Sequence, residues 1–432
     1  MDEERRLAKN KLISLRKKET LLRHENMVAK TYEVKIQENK LRKRQREDIE
    51  RIFLEAKWYK NYILNWMNES KDNKLSKFNT KITQITKKDK DMNDVQVEIK
   101  RLPAQSRQCL VSRMVANLRA MAALRKKGLQ KLGKLKFSKE ETAIDYKQIG
   151  NSHKIINKKR IRLQGIKGEL LVNGLEQFYN IPGVEVANAR LLHRATGYFV
   201  QFVCFLPKAY SQETPEAEKK IVGVDFGCQT AFTLSMGEKI TASVPESERL
   251  KKLQRDFSRK QKGSKNRERA GLKVRKEYQK ITNRKNDMAN KIVHNMTKNS
   301  IVVIQDEQLK AWQSGNHSKA VQYSVLGRVK AKLKLHNNVV ILPKNYPTTK
   351  LCTNCGKWHD ELKLWNRTFK CKCGVEEDRD IHAAQNMVWL YEHIYVGAEH
   401  TKLKRVEMES LVKGIINSGD QTLSAKHEAA IP

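Results

Sequence analysis

No run of about 18 apolar residues occurs anywhere in the 432-residue sequence, so no membrane-spanning helix is expected. The opening residues, MDEERRLAKNKL, also lack the apolar core of a secretory signal, and no export is expected from them. Acidic residues are in short supply: 48 Asp and Glu stand against 87 Lys and Arg, a formal charge of +39. A surplus of that size points to a polyanionic partner, nucleic acid before any other, with a generically basic protein as the bland alternative. Cysteine is sparse outside one cluster. Cys109, Cys204 and Cys228 stand singly in apolar surroundings, which argues for buried thiols in a reducing compartment and against a disulfide framework.

The other four cysteines form two close pairs about 15 residues apart, Cys352-Thr-Asn-Cys355 and Cys371-Lys-Cys373. Four thiolates in this pattern can close a tetrahedral zinc site with no open position, which makes its role structural. The second pair is one residue tighter than the usual knuckle, so the site is expected to form under strain and to hold its metal less firmly. Disulfide pairing is the competing reading, disfavoured by the reducing compartment.

The length suffices for two to four domains. Residues 1–30 read as a basic amphipathic helix with Leu7, Leu12, Leu15 and Leu22 at helical spacing, either a nucleic-acid arm or a solvated extension. Tyr32, Val34 and Ile36 alternate with polar residues as a short strand does. Helical patterns follow at 41–68 (Ile49, Ile52, Phe53, Ala56, Ile63, Trp66) and, after a polar linker over 68–96, from Pro103 to about Gly128 (Leu110, Met114, Leu118, Met121). From 143 to 206 short apolar segments alternate with glycine turns, which predicts a small barrel or sandwich that the strand at 32–36 could close. Residues 221–227 read as an apolar strand ending in Asp225 and a glycine turn, with further strands at 230–236 and 239–244. The stretch 249–300 carries 18 Lys and Arg against four Asp and Glu, broken at 262–266. It predicts two antiparallel helices that lay a positive rail for phosphates. A strand at 301–307 ends in Gln305-Asp306-Glu307, a helix is expected at 319–336, a last strand at 339–342, and a helix from Asp380 through Ile394.

Asp225, Glu307 and Asp380 each end a strand or open a helix. Acids so placed suit a two-metal phosphodiesterase, in which carboxylates hold divalent ions that also bind substrate phosphate; magnesium fits such hard oxygen donors.

Together GVDFG, VVIQDEQLKAW, CTNCG with CKCG, and DRDIHAAQN resemble the compact RNA-guided nucleases with a split RuvC domain. These are the transposon-encoded TnpB proteins and the miniature type V-F CRISPR effectors. Residues 102–137 and 187–206 resemble their recognition and wedge regions, and 249–298 their basic RuvC helices. The resemblance covers roughly 32–396 and implies a multidomain α+β and α/β fold, in which a helical recognition domain is inserted in a wedge β-barrel. A ribonuclease-H-like RuvC domain then follows, interrupted by the zinc ribbon. The implied boundaries are a basic extension (1–30), first wedge strand (31–40), recognition domain (41–140), wedge barrel (141–215), first RuvC segment (216–345), zinc-ribbon insertion (346–376), second RuvC segment (377–400) and tail (401–432).

It also implies the roles. Asp225, Glu307 and Asp380 are the catalytic acids and hold two Mg2+. Asp306 is the fallback for the second acid, because the family's Glu closes the central strand and here the placement is shifted. Cys352, Cys355, Cys371 and Cys373 hold Zn2+. His382 stands where the family commonly has Asn. The expected partners are a guide RNA (a crRNA with trans-activating RNA, or a transposon-derived RNA) and target DNA, double- and single-stranded. Two copies share one guide in the type V-F group, whereas TnpB relatives act as monomers. The expected setting is the prokaryotic cytoplasm, and the expected activity is RNA-guided DNA cleavage at a site beside a short flanking motif. Competing readings are a nuclease-inactive RNA-guided DNA-binding protein and a zinc-ribbon transposon accessory protein.

Overall fold

The structure, a computed structural model, describes residues 2–69, 74–89, 91, 93–126, 128, 134–208, 219–312, 318–344, 346–363, 365–395 and 412–416. Most of the tail expected at 401–432 lies outside the described residues. The chain divides into two compact units, Met1–Gln212 and Glu213–Pro432.

In the first unit, helix α1 (Asp2–Glu25) runs into strand β1 (Met27–Ile36), which starts earlier than the sequence pattern indicates. Leu7, Leu12, Leu15 and Leu22 of α1 are exposed. Its last turn is tied to the sheet: His24 stacks on Phe205 at 3.7 Å and shares Glu185 with Arg23. Next come α2 (Lys43–Glu69), a hairpin of β2 (Gln84–Lys88) and β3 (Asp94–Glu98), and α3 (Ala104–Lys126). The hairpin corrects the linker expected over 68–96. Only Ile85 of its ten residues is buried, too weak an alternation to read among lysines and glutamines.

The remaining strands are β4 (Ala143–Tyr146), β5 (His153–Asn157), β6 (Arg160–Leu163), β7 (Leu170–Asn173), β8 (Glu185–Arg194) and β9 (Gly197–Pro207), with the short helix α4 (Glu176–Tyr179) before β8. They form one seven-stranded sheet in the order β4-β8-β9-β1-β7-β6-β5. β1 lies in its middle, antiparallel to β9 from Met27–Pro207 to Lys35–Phe199. The helical segment is therefore an insertion between two strands of one sheet. β9 alternates strictly, and Tyr198, Val200, Phe202, Cys204 and Leu206 face the core. Burial there pushes the Cys204 thiol up to about 12, so it stays protonated and inert, as expected of a buried cysteine.

Against the core lies the inner face of α2: Ile49, Ile52, Ala56, Tyr59 and Ile63 are wholly buried. Glu55 shares that face, an acid among apolar neighbours. Its carboxylate accepts from the backbone N–H groups of Lys100, Arg101 and Leu102 (3.2, 2.7 and 2.8 Å) and from Arg51. It thus anchors the chain just before α3. Glu55→Ala is expected to cost about 3 kcal/mol, because three amides and an arginine lose their acceptor at once. Denaturant unfolding checks this, and a loss under 1 kcal/mol would refute the anchoring role.

The second unit opens with β10 (Lys220–Phe226), β11 (Phe232–Leu234) and β12 (Lys239–Ile240). Both hairpin strands are shorter than expected because Gly237 (φ +92) turns the chain at once. α5 (Glu248–Arg259) and α6 (Lys265–Thr297) are capped by Ser247 and Ser264, whose hydroxyls accept from Leu250 and Arg267 amides, and the break falls where the sequence puts it. β13 (Ser300–Gln305) follows, then α7 (Leu309–Trp312), α8 (Ser318–Tyr323), α9 (Leu326–Leu333) and β14 (Val339–Leu342). The single helix expected at 319–336 is two, since Ser324 bridges to Ser243 and the Val325 amide donates to the Ala242 carbonyl.

These strands form a five-stranded sheet ordered β12-β11-β10-β13-β14, parallel at β10–β13 and β13–β14 and antiparallel at β10–β11–β12. A two-stranded ribbon of β15 (Thr368–Lys370) and β16 (Glu376–Asp378) leads directly into α10 (Arg379–Leu390). No described helix is long and apolar enough to cross a membrane.

Candidate functional site

β10 is apolar because both its faces are covered, and its polar residue comes late, at Asp225. Gly223 explains how a helix comes close to it. A Cβ at Gly223 would collide with the Ala384 carbonyl of α10. Only glycine lets that helix lie against the strand, bringing its first turn beside Asp225. Gly223→Val is expected to push α10 away and reduce any activity that needs Asp225 and Asp380 together at least tenfold. A substrate-turnover assay alongside a folding check tests this; wild-type turnover would refute it.

α10 itself begins where it does because of Asp378, whose Oδ1 accepts from the Asp380 and Ile381 amides at 3.0 and 3.2 Å. Asp378 also pairs with Lys239 of β12 at 2.7 Å, which holds its carboxyl below the ordinary range despite burial. In Asp378-Arg379-Asp380 the first acid is thus the helix cap, and the second stands free of that task. Asp380 pairs with Arg379 at 3.2 Å.

The charges of Asp380 and Glu307 both act on Asp225. Its carboxyl is pushed up to about 8, by burial first, then by Asp380 and Glu307, against the partial relief of Arg379 and of the Phe226 amide. The residue retains some surface while its carboxyl is enclosed. The folded protein therefore binds this proton more tightly than the unfolded chain, whose Asp titrates near 3.9. The stability it lends is complete below about pH 4 and is lost as pH rises through about 8. Metal-free protein should accordingly lose Tm between about pH 5 and 8, and Asp225→Asn should lose distinctly less over that interval. Equal slopes in thermal melts with chelator present would refute this.

The three consecutive polar residues at the end of β13 have separate fates. The register pairs Val224 with Ile304, which sets Gln305 level with Asp225. Gln305 is buried and its amide donates to the carbonyls of Pro343, Lys344 and Tyr346 (3.3, 3.1 and 2.7 Å), while Oε1 accepts from Thr348 at 3.0 Å. Asp306 pairs with Lys330 of α9 and with Lys334 just past its end at 3.0 and 3.1 Å, which hold its carboxyl below the ordinary range. Lys330 also donates to the Glu307 carbonyl. Glu307, one residue further, is the member of the trio whose charge reaches Asp225.

The four cysteine sulfurs lie within 4.8 Å of one another, Cys352–Cys373 at 3.6 Å and Cys355–Cys371 at 3.5 Å. A disulfide would need about 2.05 Å, whereas thiolates around one zinc at about 2.3 Å stand about 3.8 Å apart. All four are free thiols set for a single ion. The tighter pair reaches the cluster through a turn in which Cys371 N–H donates to the Val375 carbonyl and Gly374 takes φ +98. That turn is the tip of the β15–β16 ribbon, so the cluster fixes the strand that delivers Asp380.

His382 joins the cluster to the helix. Buried and stacked on Phe369 (3.6 Å, 13°), it places Nδ1 2.7 Å from Glu377 and Nε2 2.8 Å from the Leu351 carbonyl, next to Cys352. Asn386 donates to the Thr348 and Leu351 carbonyls and accepts from Thr353. Gln305, Thr348 and Asn386 do not stand out in the sequence as members of one network. Their partners lie 35 to 43 residues away, backbone carbonyls for the Gln305 and Asn386 amides and the Gln305 amide oxygen for the Thr348 hydroxyl, which no local pattern reveals.

Two family models match this chain: OrfB_IS605, described as a probable transposase, over residues 202–307, and the Cas12f1-like TNB domain over residues 323–387. Over 205 residues the chain is 34% identical to a protein named "Putative RNA-guided DNA endonuclease" from Streptomyces pristinaespiralis, covering 45% of this chain and 50% of that one. It is 24% identical over 213 residues to TnpB-like protein L79 of Acanthamoeba polyphaga mimivirus, covering 44% and 40%. The chain thus spans about half the length, or less, of these curated relatives. A cryo-EM structure of a CRISPR-Cas12f ternary complex aligns over 79% of this chain and 82% of that one at 14% identity and TM-score 0.27, too low to bear on the fold. The resemblance to TnpB and Cas12f-type proteins read from the motifs holds over the two matched stretches.

Proposed function

We propose that this chain, related to TnpB and Cas12f1-like proteins through residues 202–307 and 323–387, is an RNA-guided DNA endonuclease with one RuvC-type site. The observation that carries this reading is the enclosed carboxyl of Asp225, which burial first, and then the charges of Asp380 and Glu307, raise to about 8. Such a set of hard oxygen donors carries repulsion that divalent cations relieve, so Asp225, Glu307 and Asp380 fit as the residues that would hold Mg2+. Magnesium, when bound, supplies an activated water and charge stabilisation at the leaving oxygen. The chain's own role is positional. β10 fixes Asp225, the Asp378 cap fixes Asp380, and Lys330 and Lys334 engage Asp306 so that Glu307 is the remaining acid at that strand end. The four thiolates fit one Zn2+ in a structural role, anchoring the ribbon that leads to Asp380.

The basic helices α5 and α6 supply phosphate contacts along one side of the unit, consistent with a chain that holds both guide RNA and DNA. Sequence choice then rests on base pairing, with a flanking motif read by the first unit. On this reading the first unit's sheet is the wedge and its inserted helices the recognition domain. Two copies on one guide suit the type V-F relationship, and one copy suits TnpB.

A second reading has a specific observation behind it: the residue level with Asp225 on β13 is the amide Gln305, locked by three carbonyls, rather than a carboxylate. A chain built this way would serve as an RNA-guided DNA-binding protein that acts by occupancy. Incubating the guide-bound protein with Mg2+ and matched DNA separates the two. Cleavage supports the endonuclease, and stable binding without cleavage sinks it in favour of occupancy. Binding that ignores the guide RNA would refute both.

A further inference from the structure

We propose that the first unit holds a pocket for one unpaired nucleobase, bounded by α2, the β2–β3 hairpin and the segment 134–138. It rests on the reading that this chain binds nucleic acid, and it adds a site which neither the acids nor the cysteines involve. The cavity has a volume of about 370 Å³, within the range of small-ligand sites, and its walls include Lys57, Trp58, Tyr62, Lys87, Lys88 and Phe137.

Three aromatic side chains therefore meet three ammonium groups in one concavity. Trp58 already holds cations against its ring, with the Arg51 guanidinium and the Lys87 ammonium each 4.8 Å from the centroid. Tyr62 is set by an edge contact with Phe78 at 6.2 Å. Phe137 is 58% exposed, so its ring is open to an incoming group. Its backbone is fixed all the same: Asn61 of α2 donates to the Ser138 carbonyl at 3.1 Å and accepts from the Ser138 amide at 2.8 Å. The ring is thus presented beside the cavity by a paired backbone, so its ordering cost is already met before anything binds.

The flanking chemistry selects the occupant. Phe137 sits within Lys134-Leu-Lys136-Phe137-Ser138-Lys139, a lysine at every other position up to the ring and one beyond it. Asp94, the acid lining the cavity, is paired with Lys88 at 2.8 Å. An apolar side chain could fill the aromatic region but would bring no counter-charge to Lys57 and Lys87. A nucleotide answers both demands, with its base on the aromatic faces and its phosphates on the lysines.

The test uses the full-length chain and single-stranded 12-mers carrying one central 2-aminopurine, made separately as RNA and DNA. Measurements are taken at 150 mM salt, where backbone contacts alone bind weakly. Fluorescence quenching reports stacking, and anisotropy reports affinity. Phe137→Ala is the first variant and Trp58→Phe the second, both checked by circular dichroism; Phe137 is exposed enough that its removal should leave the fold intact. The expected result is quenching by wild type, lost in Phe137→Ala together with roughly 5- to 100-fold in affinity. An abasic 12-mer should bind wild type as weakly as the base-containing one binds the variant, and the two losses should not add. Response to the RNA alone, the DNA alone or both supports the pocket and identifies its source strand. Wild-type binding with unchanged quenching and affinity in both variants overturns the pocket while leaving the nucleic-acid reading intact. Failure of wild type to bind either strand overturns that reading and the pocket with it. An acidic peptide that binds in a Phe137-dependent way where the oligonucleotides do not would overturn the base assignment.

Discussion

Asp225→Ala is expected to lower DNA cleavage by guide-bound protein about 10³-fold or more, equivalent to about 4 kcal/mol of barrier, while target binding changes less than about twofold. The asymmetry follows from the local physics. Asp225 is where burial and two like charges concentrate on one carboxyl, so a cation there gains most from its ionised form, whereas on the proposed reading the basic helices would answer guide and target phosphates. Asp380→Ala should behave alike. The sharper comparison is at the end of β13, where Glu307→Ala should abolish cleavage. Asp306→Ala should spare it, because Asp306 is engaged by Lys330 and Lys334, whereas the charge of Glu307 acts on Asp225. Cleavage time courses and gel-shift titrations on the same preparations measure both halves. Wild-type cutting by Asp225→Ala would remove the assignment, and a reversed order of the Asp306 and Glu307 variants would move the second acid by one residue.

Replacing Cys352 and Cys355 together with serine should have the next largest effect. The cluster lies at the tip of the ribbon, and the ribbon ends in the residue that caps α10. On the proposed zinc reading, losing the metal would remove binding energy that is also folding energy for the insertion. The Phe369–His382 stack and the contact of His382 with the Leu351 carbonyl then lose their support, and with them the orientation of the first turn of α10. The expected outcome is protein without bound zinc, fast amide exchange across 346–382, and cleavage reduced by at least about tenfold. Metal analysis, hydrogen exchange and the cleavage assay report the three effects separately. Full activity in zinc-free protein would mean that the ribbon is dispensable to the acids beside it.

The sequence by itself determined whatever depends on neighbours a few residues apart. The cysteine pairs were legible because thiol spacing is a local property, and their four sulfurs do gather. The strand ending in Asp225, the paired basic helices and the helix opening at Asp380 were legible for the same reason: apolar runs and charge density are written within one or two turns of chain. Weak local signals failed first. The hairpin at 84–98 looked like a linker because little of it is buried, and the helix over 319–336 is divided by a partner at Ser243, some 80 residues upstream.

Only the tertiary structure decided that β1 belongs in the centre of a sheet otherwise built from residues beyond 143, since strand pairing is fixed by which edges meet and not by either strand's own pattern. It also separated Gln305, Asp306 and Glu307. In sequence these are three adjacent polar residues, with Glu307 the choice for the second acid and Asp306 the fallback. In the fold three carbonyls take the first, Lys330 and Lys334 take the second, and the charge of the third reaches Asp225. Glycine at 223 reads as an ordinary strand interruption until α10 is seen lying against it. The chemistry-bearing residue types were chosen by the sequence, but their coupling through a low-dielectric interior exists only once strands and helix distant in the chain are packed together.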